Sequence, residues 1–319
     1  MVYLSEKTIK GRKYLYLMKS IRLPDGRVVS LQKKIEKKES LKKLEQKYAK
    51  LFFQKEKEAH ANFALKHFKI NSIFNEDEIR IIEHMKVEYN YLLKNFSKEQ
   101  YKDVFDRFVA NFTYESNAIE GSSLTLKDVS IIMFENRSIE GKDLREIWET
   151  KNSREVMEKI LKGKIKITEK DIIKIHKMLM QNIDKRIGYK KFPNEILGFS
   201  VKLASPEKVQ KEMNSIIKWV EQNKLNMHPL QLCSLFHGKF ERIHPFADGN
   251  GRVGRFIAAA MLVNKGYPPL IIRKTQRDSY IKSLEDFHRG YTGNLERFFL
   301  KKYKNTFRNF FSSYLKYVV

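Results

Sequence analysis

The chain has 319 residues and a formal net charge of +25, from 63 Lys and Arg against 38 Asp and Glu. With 42% hydrophobic residues it can bury a sizeable core, as two modest domains or as one core with extensions. A single cysteine, Cys233, excludes an internal disulfide framework and suits a reducing compartment. No run approaches the roughly eighteen apolar residues of a membrane span, and the first residues lack the apolar segment of a signal peptide, so a cytoplasmic protein is expected.

The basic balance would fit nucleic acid or another polyanion. The lysines are spread along the chain, however. In the densest stretch, Lys33 to Lys57, they interleave with Glu36, Glu39, Glu45 and Glu56, which describes a charged helix facing solvent.

In chain order, Lys13 to Ile35 predicts a β-hairpin, with strands at Tyr14–Met18 and Val28–Leu31 and a turn at Pro24-Asp25-Gly26. Leu41 to about Phe68 is helical, with Leu41, Leu44, Tyr48, Leu51 and Phe52 as its apolar positions. Asn75 then caps a helix that runs to Leu93. A small N-terminal unit over 1–97 and a mainly α core over 98–319 are expected, the change of character falling softly between Phe68 and Ser97.

Phe105 to Glu120 predicts the next helix, with Ser116 and Glu120 on one face and Gly121 as its stop. Thr125 and Asp128 form a capping box for the helix after it. Gly188 to Leu203 is the β-like stretch of the core, with Ile196-Leu197 and Val201-Lys202-Leu203 flanking Gly198 as a short hairpin. His228-Pro229 opens an apolar helix through Leu232, Leu235, Phe236, Phe240 and Ile243, which delivers His244 at its C-terminal end. His237 and Cys233 read as packed residues of that helix. The chain ends in an aromatic stripe, Phe298, Phe299, Phe307, Phe310, Phe311 and Tyr314, which serves core or dimer packing.

The most informative stretch is His244-Pro245-Phe246-Ala247-Asp248-Gly249-Asn250-Gly251-Arg252-Val253-Gly254-Arg255. It holds a titratable base, an acid, an amide, glycines and two arginines, the parts needed to hold a metal-bound polyphosphate and attack it. Gly249 and Gly251 allow a sharp turn and close backbone approach to a ligand. The apolar run from Val253 to Asn264 is a buried helix, so the loop opens onto a helix N-terminus, where orphan N–H groups and the dipole favour anions. Arg252 and Arg255 are expected in its first turn.

This string resembles the signature of the Fic (filamentation induced by cAMP) family, His-x-Phe-x-(Asp/Glu)-Gly-Asn-Gly-Arg-x-x-Arg, at every specified position. The resemblance extends over roughly residues 100 to 300 and implies a helical Fic core with a β-hairpin flap. It implies transfer of AMP from ATP, with Mg²⁺, to a Tyr, Thr or Ser hydroxyl of a protein target. On this reading His244 is the general base and Asp248 the metal ligand. Gly249, Asn250, Gly251 and Arg252 cradle the α- and β-phosphates, and Arg255 grips the γ-phosphate. Ser116 to Gly121 resembles the family's inhibitory string, (Ser/Thr)-x-x-x-Glu-(Gly/Asn), in the subclass that carries it N-terminal to the core; Glu120 would then hold Arg255. Ile196, Leu197 and Gly198 resemble the flap that docks an extended target segment by strand addition. Two alternatives stay open: removal of AMP from a modified protein, with Glu120 orienting water, and a basic nucleic-acid-binding regulator whose site is vestigial.

Overall fold

The computed structural model describes residues 2–37, 39–194 and 203–317. The expected strands at Ile196-Leu197 and Val201-Lys202, with Gly198, lie outside the described residues. The chain divides into two compact units between Glu88 and Tyr89.

The first unit holds an antiparallel sheet, β1 (Val2–Ile9), β2 (Arg12–Arg22) and β3 (Val28–Ile35), in the order β1-β2-β3. The predicted hairpin is β2–β3, with Ile21 opposite Val29 and Leu15 opposite Ile35. Strand β1 is an addition to it. It joins β2 through Lys10 and Gly11, both at positive φ (48° and 75°), as a two-residue turn of the hairpin type requires. Helix α1 (Leu41–His67) starts at Ser40, whose Oγ accepts from Lys43 N–H. Its Leu44 and Phe52, two turns apart, close a small core with Leu17 and Ile35. Burying four such side chains contributes roughly 1.5–3 kcal/mol each. The lysines of α1 face carboxylates: Lys57 pairs with Glu88 at 3.0 Å, and Lys43 and Lys47 pair with Glu39. The division between the units falls in α2 (Glu76–Asn95), which Asn75 caps through a hydrogen bond from Glu78 N–H.

The second unit is helical: α3 (Lys98–Ile119), α4 (Leu126–Ser130), α5 (Leu144–Leu161), α6 (Glu169–Leu179), α7 (Pro206–Asn223), α8 (Pro229–Ile243), α9 (Asn250–Val263), α10 (Arg277–His288) and α11 (Thr292–Thr306). Helix α3 begins a full two turns before the expected Phe105, because Ser97 and Gln100 form a reciprocal capping box. Thr125 and Asp128 make the predicted one at α4. The centre is the α8–α9 pair. Helix α9 is buried along nearly all its length and packs against α3, α5, α6 and α8; α8 packs against α7, α9, α10 and α11. Glycines set these crossings: a Cβ at Gly238 would meet the Phe287 ring at 2.7 Å. The C-terminal aromatic stripe is core, with Phe311 stacked on Phe108 at 5.5 Å between ring centroids. No described helix is long and apolar enough to cross a membrane.

Candidate active site

Helix α8 ends at His244, which adopts a left-handed conformation (φ 49°, ψ 62°) and turns the chain into the loop. Phe246 then anchors that loop. Its ring is fully buried and stacks on the His176 imidazole of α6, centroids 3.9 Å apart and planes within 5°. Asn250 closes the turn: it accepts from Phe246 N–H at 2.8 Å and donates to Phe246 O at 2.9 Å. The side chain expected on a phosphate thus also shapes the loop, through its oxygen and one of its two amide hydrogens. Residues 188–194 brace the other side. Lys190 N–H donates to Pro245 O at 2.8 Å and Asn194 Nδ2 to Phe246 O at 2.9 Å.

Gly249 (φ 77°) caps α9 in a conformation that favours glycine, and Met180 Sδ lies 2.9 Å from where a Cβ would stand. The N–H groups of Asn250, Gly251 and Arg252 begin the helix, beyond reach of any carbonyl of that helix. Because the helix starts at Asn250, Arg252 is in its first turn but Arg255 is in the second. Both guanidiniums are buried, and Arg252 Nε and Arg255 Nη1 make no hydrogen bond among the described residues. Buried charged donors without acceptors are costly, and an arriving anion would satisfy them.

The structure brings Ser116, Glu120 and Arg255 together. Arg255 Nε donates to Ser116 Oγ and Nη2 to Ser116 O, both at 2.9 Å, and Nη2 reaches Glu120 Oε1 at 2.6 Å. The Glu120 carboxylate lies against Gly251, where any Cβ would collide with it. It thus occupies the anion-facing end of α9. Burial pulls the Glu120 pKa upward, but the charge and hydrogen bond of Arg255, with Arg252 behind, outweigh it and hold the carboxyl below its ordinary range.

His244 is neutral at pH 7. Burial, with Lys190 nearby, pushes its pKa down to about 4. Beneath it lies Glu241, with Oε2 3.7 Å from His244 Nδ1 and Oε1 3.8 Å from His237 Nε2. Burial raises the Glu241 pKa to about 8. Gly254 makes room for this carboxyl, since a Cβ there would stand 2.5 Å from Glu241 Oε1. His237 is the packed histidine expected of it, bonded to Tyr280 Oη at 2.6 Å. Cys233 is buried, and burial alone raises its thiol out of reactive range.

Asp248 stands at the mouth, its side chain 36% exposed. It accepts from Gly249 N–H and from Arg145 Nη2, each at 2.5 Å. Burial raises its pKa, but the hydrogen bond from Arg145 and the charge of Arg252 prevail and keep it ionised. Arg145 and Glu149 of α5 escaped sequence reasoning, as did His176, Lys190 and Glu241. Glu149 Oε1 sits 2.7 Å from Arg252 Nη1 and accepts from Arg145 Nε at 3.0 Å. An Arg-Glu pair four apart on a helix is too common a surface pattern to single out.

Residues 166–262 match the model of the Fic/DOC family. Among curated relatives, the protein adenylyltransferase Fic of Drosophila erecta is 31% identical over 207 residues, 64% of this chain and 40% of that protein. The protein adenylyltransferase Fic of Nematostella vectensis is 31% identical over 182 residues, 56% of this chain and 43% of that protein. The chain thus spans about two fifths of the length of these relatives. Among solved structures, a Fic-domain-containing signalling protein from Bacteroides thetaiotaomicron superposes with a TM-score of 0.64 at 24% identity, over 71% of this chain and 95% of that one. Fic-1 of C. elegans gives a TM-score of 0.64 at 23% identity, over 74% and 71%. Residues 166–262 thus resemble the Fic/DOC family, and the fold around them is that of the solved Fic-domain structures.

Proposed function

We propose that this protein is an adenylyltransferase: it moves the AMP of ATP, bound with Mg²⁺, to a Tyr, Thr or Ser hydroxyl of a protein, and Glu120 restrains it. The observation that carries this reading is the pair of buried guanidinium groups, Arg252 Nε and Arg255 Nη1, that make no hydrogen bond among the described residues, beside the orphan N–H groups of α9. The names of the relatives, each a protein adenylyltransferase, agree with it.

In this reading the loop N–H groups and Arg252 hold the α- and β-phosphates, and Arg255 takes the γ-phosphate once Glu120 withdraws. Neutral His244 accepts the hydroxyl proton on Nε2, since Nδ1 faces Glu241. The hydroxyl oxygen bonds to the α-phosphorus, the bond from that phosphorus to the bridging oxygen breaks, and pyrophosphate leaves. The site works by position and charge. Asp248, ionised and exposed at the mouth, is the residue that would hold a hard divalent cation. When bound, the cation neutralises phosphate charge. Ile196, Leu197 and Gly198, outside the described residues, are the proposed docking strand for the target. A cytoplasmic setting completes the proposal.

A second reading, removal of AMP, draws on the exposure of Glu120, whose ionised side chain is 41% accessible and could orient a water. One experiment tests both. Wild type and Glu120→Gly are incubated with Mg²⁺ and ATP labelled at the α- or γ-phosphate. Transfer of α-label to protein, raised in Glu120→Gly, is expected. Transfer of γ-label would make this a kinase, and no label with any protein substrate would leave a binding protein. Loss of AMP hydrolysis in Glu120→Gly, alongside gained transfer, would establish the second activity.

A further inference from the structure

Arg145, Asp248, Arg252 and Glu149 form a closed ring of alternating charge. Arg145 Nη2 meets Asp248 Oδ2 at 2.5 Å, Asp248 Oδ1 lies 3.8 Å from Arg252 Nη2, Arg252 Nη1 lies 2.7 Å from Glu149 Oε1, and Glu149 Oε1 lies 3.0 Å from Arg145 Nε. Helix α5 supplies one Arg and one Glu four residues apart. The loop and α9 supply an Asp and an Arg at the same spacing. Two i,i+4 pairs from elements distant in sequence are thus interlocked.

The ring's members differ in freedom. Arg252 is buried with 3% of its side chain exposed and Glu149 has 10%, so both are fixed. Arg145 is 50% exposed, on the first turn of α5, and is the one cation of the ring with solvent to move into. The proposed function requires Asp248 to face a cation. Asp248 Oδ2 cannot serve a metal ion and the Arg145 fork together at full strength. When the ion claims Asp248, the ring keeps two guanidiniums and one carboxylate, and Arg145 is left with an unmatched charge beside the anion loop.

We infer that Arg145 is a triphosphate-binding residue: it neutralises Asp248 in the nucleotide-free site and passes to the phosphate chain when a divalent cation takes that carboxylate. The planar fork suits phosphate oxygens, and the distance from Asp248 Oδ2 puts it beside whatever bridges that oxygen to the nucleotide. The exchange also accounts for Glu149. That carboxylate carries both arginines, so it keeps Arg145 near the loop throughout. The inference rests on the reading that the loop takes a magnesium nucleotide, and it concerns binding rather than transfer.

The test measures ATP affinity of the full chain by titration calorimetry, for wild type, Arg145→Ala and Arg145→Lys, with excess Mg²⁺ and again with EDTA. Arg145→Ala should weaken Mg-ATP binding about tenfold or more, the worth of one charge-assisted hydrogen bond. Without magnesium the same variant should lose less, because there the fork remains on Asp248 and makes no phosphate contact, and only the repulsion of the uncovered carboxylate is left. Arg145→Lys should recover part of the loss, keeping the charge but not the fork. A half-exposed side chain should leave the melting temperature unchanged, which separates binding from folding. Mg-ATP affinity in Arg145→Ala equal to or tighter than wild type would overturn the inference and make Arg145 only a competitor of the cation. Equal weakening with and without magnesium would overturn the exchange. Wild type that binds Mg-ATP but labels no protein would remove the proposed transfer and leave this inference standing.

Discussion

Two arginine–carboxylate pairs flank the anion loop, and they are built in opposite senses. On the α3 side the arginine is the fixed member: Arg255 is buried, held by Ser116 through two hydrogen bonds, while Glu120 sits 41% exposed at a helix end beside Gly121. On the α5 side the carboxylate is the fixed member: Gly249 N–H holds Asp248, while Arg145 is 50% exposed. Movement on the first side bares a cation, and movement on the second bares an anion. One pair is therefore suited to admit a phosphate, and the other to admit a metal ion. Identical chemistry gives different gates because the hydrogen bonds each partner makes outside the pair decide which one stays.

The comparison has functional force only if both gates serve one reaction, and the largest expected effect tests that. His244→Ala should lower the rate of label transfer by about 10²–10⁴ while ATP binding by calorimetry persists. Undiminished labelling would reduce the two pairs to a binding site.

The next effect sharpens the assignment of the fixed arginine. In a Glu120→Gly background, Arg255→Ala should cost about ten- to hundredfold in transfer, because the phosphate then loses its charged donor. If Arg255→Ala alone instead raised transfer as Glu120→Gly does, Arg255 would be no more than an anchor for the glutamate.

Acidity offers a third test. With a pKa near 4, His244 stays neutral and able to accept a proton well below the ordinary histidine value. Because the Glu120 charge raises the His244 pKa, the acid limb of kcat/KM in Glu120→Gly should lie at or below about pH 4, and a limb near 6.5 would contradict the burial argument. Glu241 acts with the opposite sign on stability. Its folded pKa of about 8 exceeds the unfolded value, so between pH 4.5 and 8 the folded state keeps a proton that the unfolded state has lost. Stability from this group falls as pH rises through that window. Glu241→Gln should melt a few degrees higher than wild type at pH 8 and converge with it at pH 4.5. Equal melting curves at both pH values would deny the burial of an acid there.

The smallest effect separates the two bonds that Ser116 makes. Ser116→Ala removes the hydroxyl but leaves the backbone carbonyl on Arg255, so labelling should rise only about two- to fivefold, within the worth of one hydrogen bond. A rise matching Glu120→Gly would make the hydroxyl the main restraint.

Much of this arrangement was legible in the residues. Asn75, Pro229 and the Thr125–Asp128 box announced helix starts by local chemistry, and local chemistry survives folding. The twelve-residue string from His244 to Arg255 carried the loop, and Ser116 with Glu120 carried the α3 side, since a face four residues wide can be counted. Strand β1 went unread because its turn uses Lys10 at positive φ in place of the usual Asn or Asp. Asn250, expected on a ligand, also bonds the backbone of Phe246, a partner that only the closed loop creates. Arg145 lies 103 residues from Asp248, and no spacing rule spans a contact made by tertiary packing.

The left-handed backbone at His244 has a further consequence. A side chain with a Cβ in that region carries strain of order 1 kcal/mol, which glycine escapes and asparagine tolerates better. Chain geometry alone would thus prefer a glycine or an asparagine to an imidazole at this corner. Stability and chemistry pull in different directions at one Cα atom. A directed-evolution experiment that rewards only heat resistance should discard this histidine early, and one that rewards only modification of a target should never let it go.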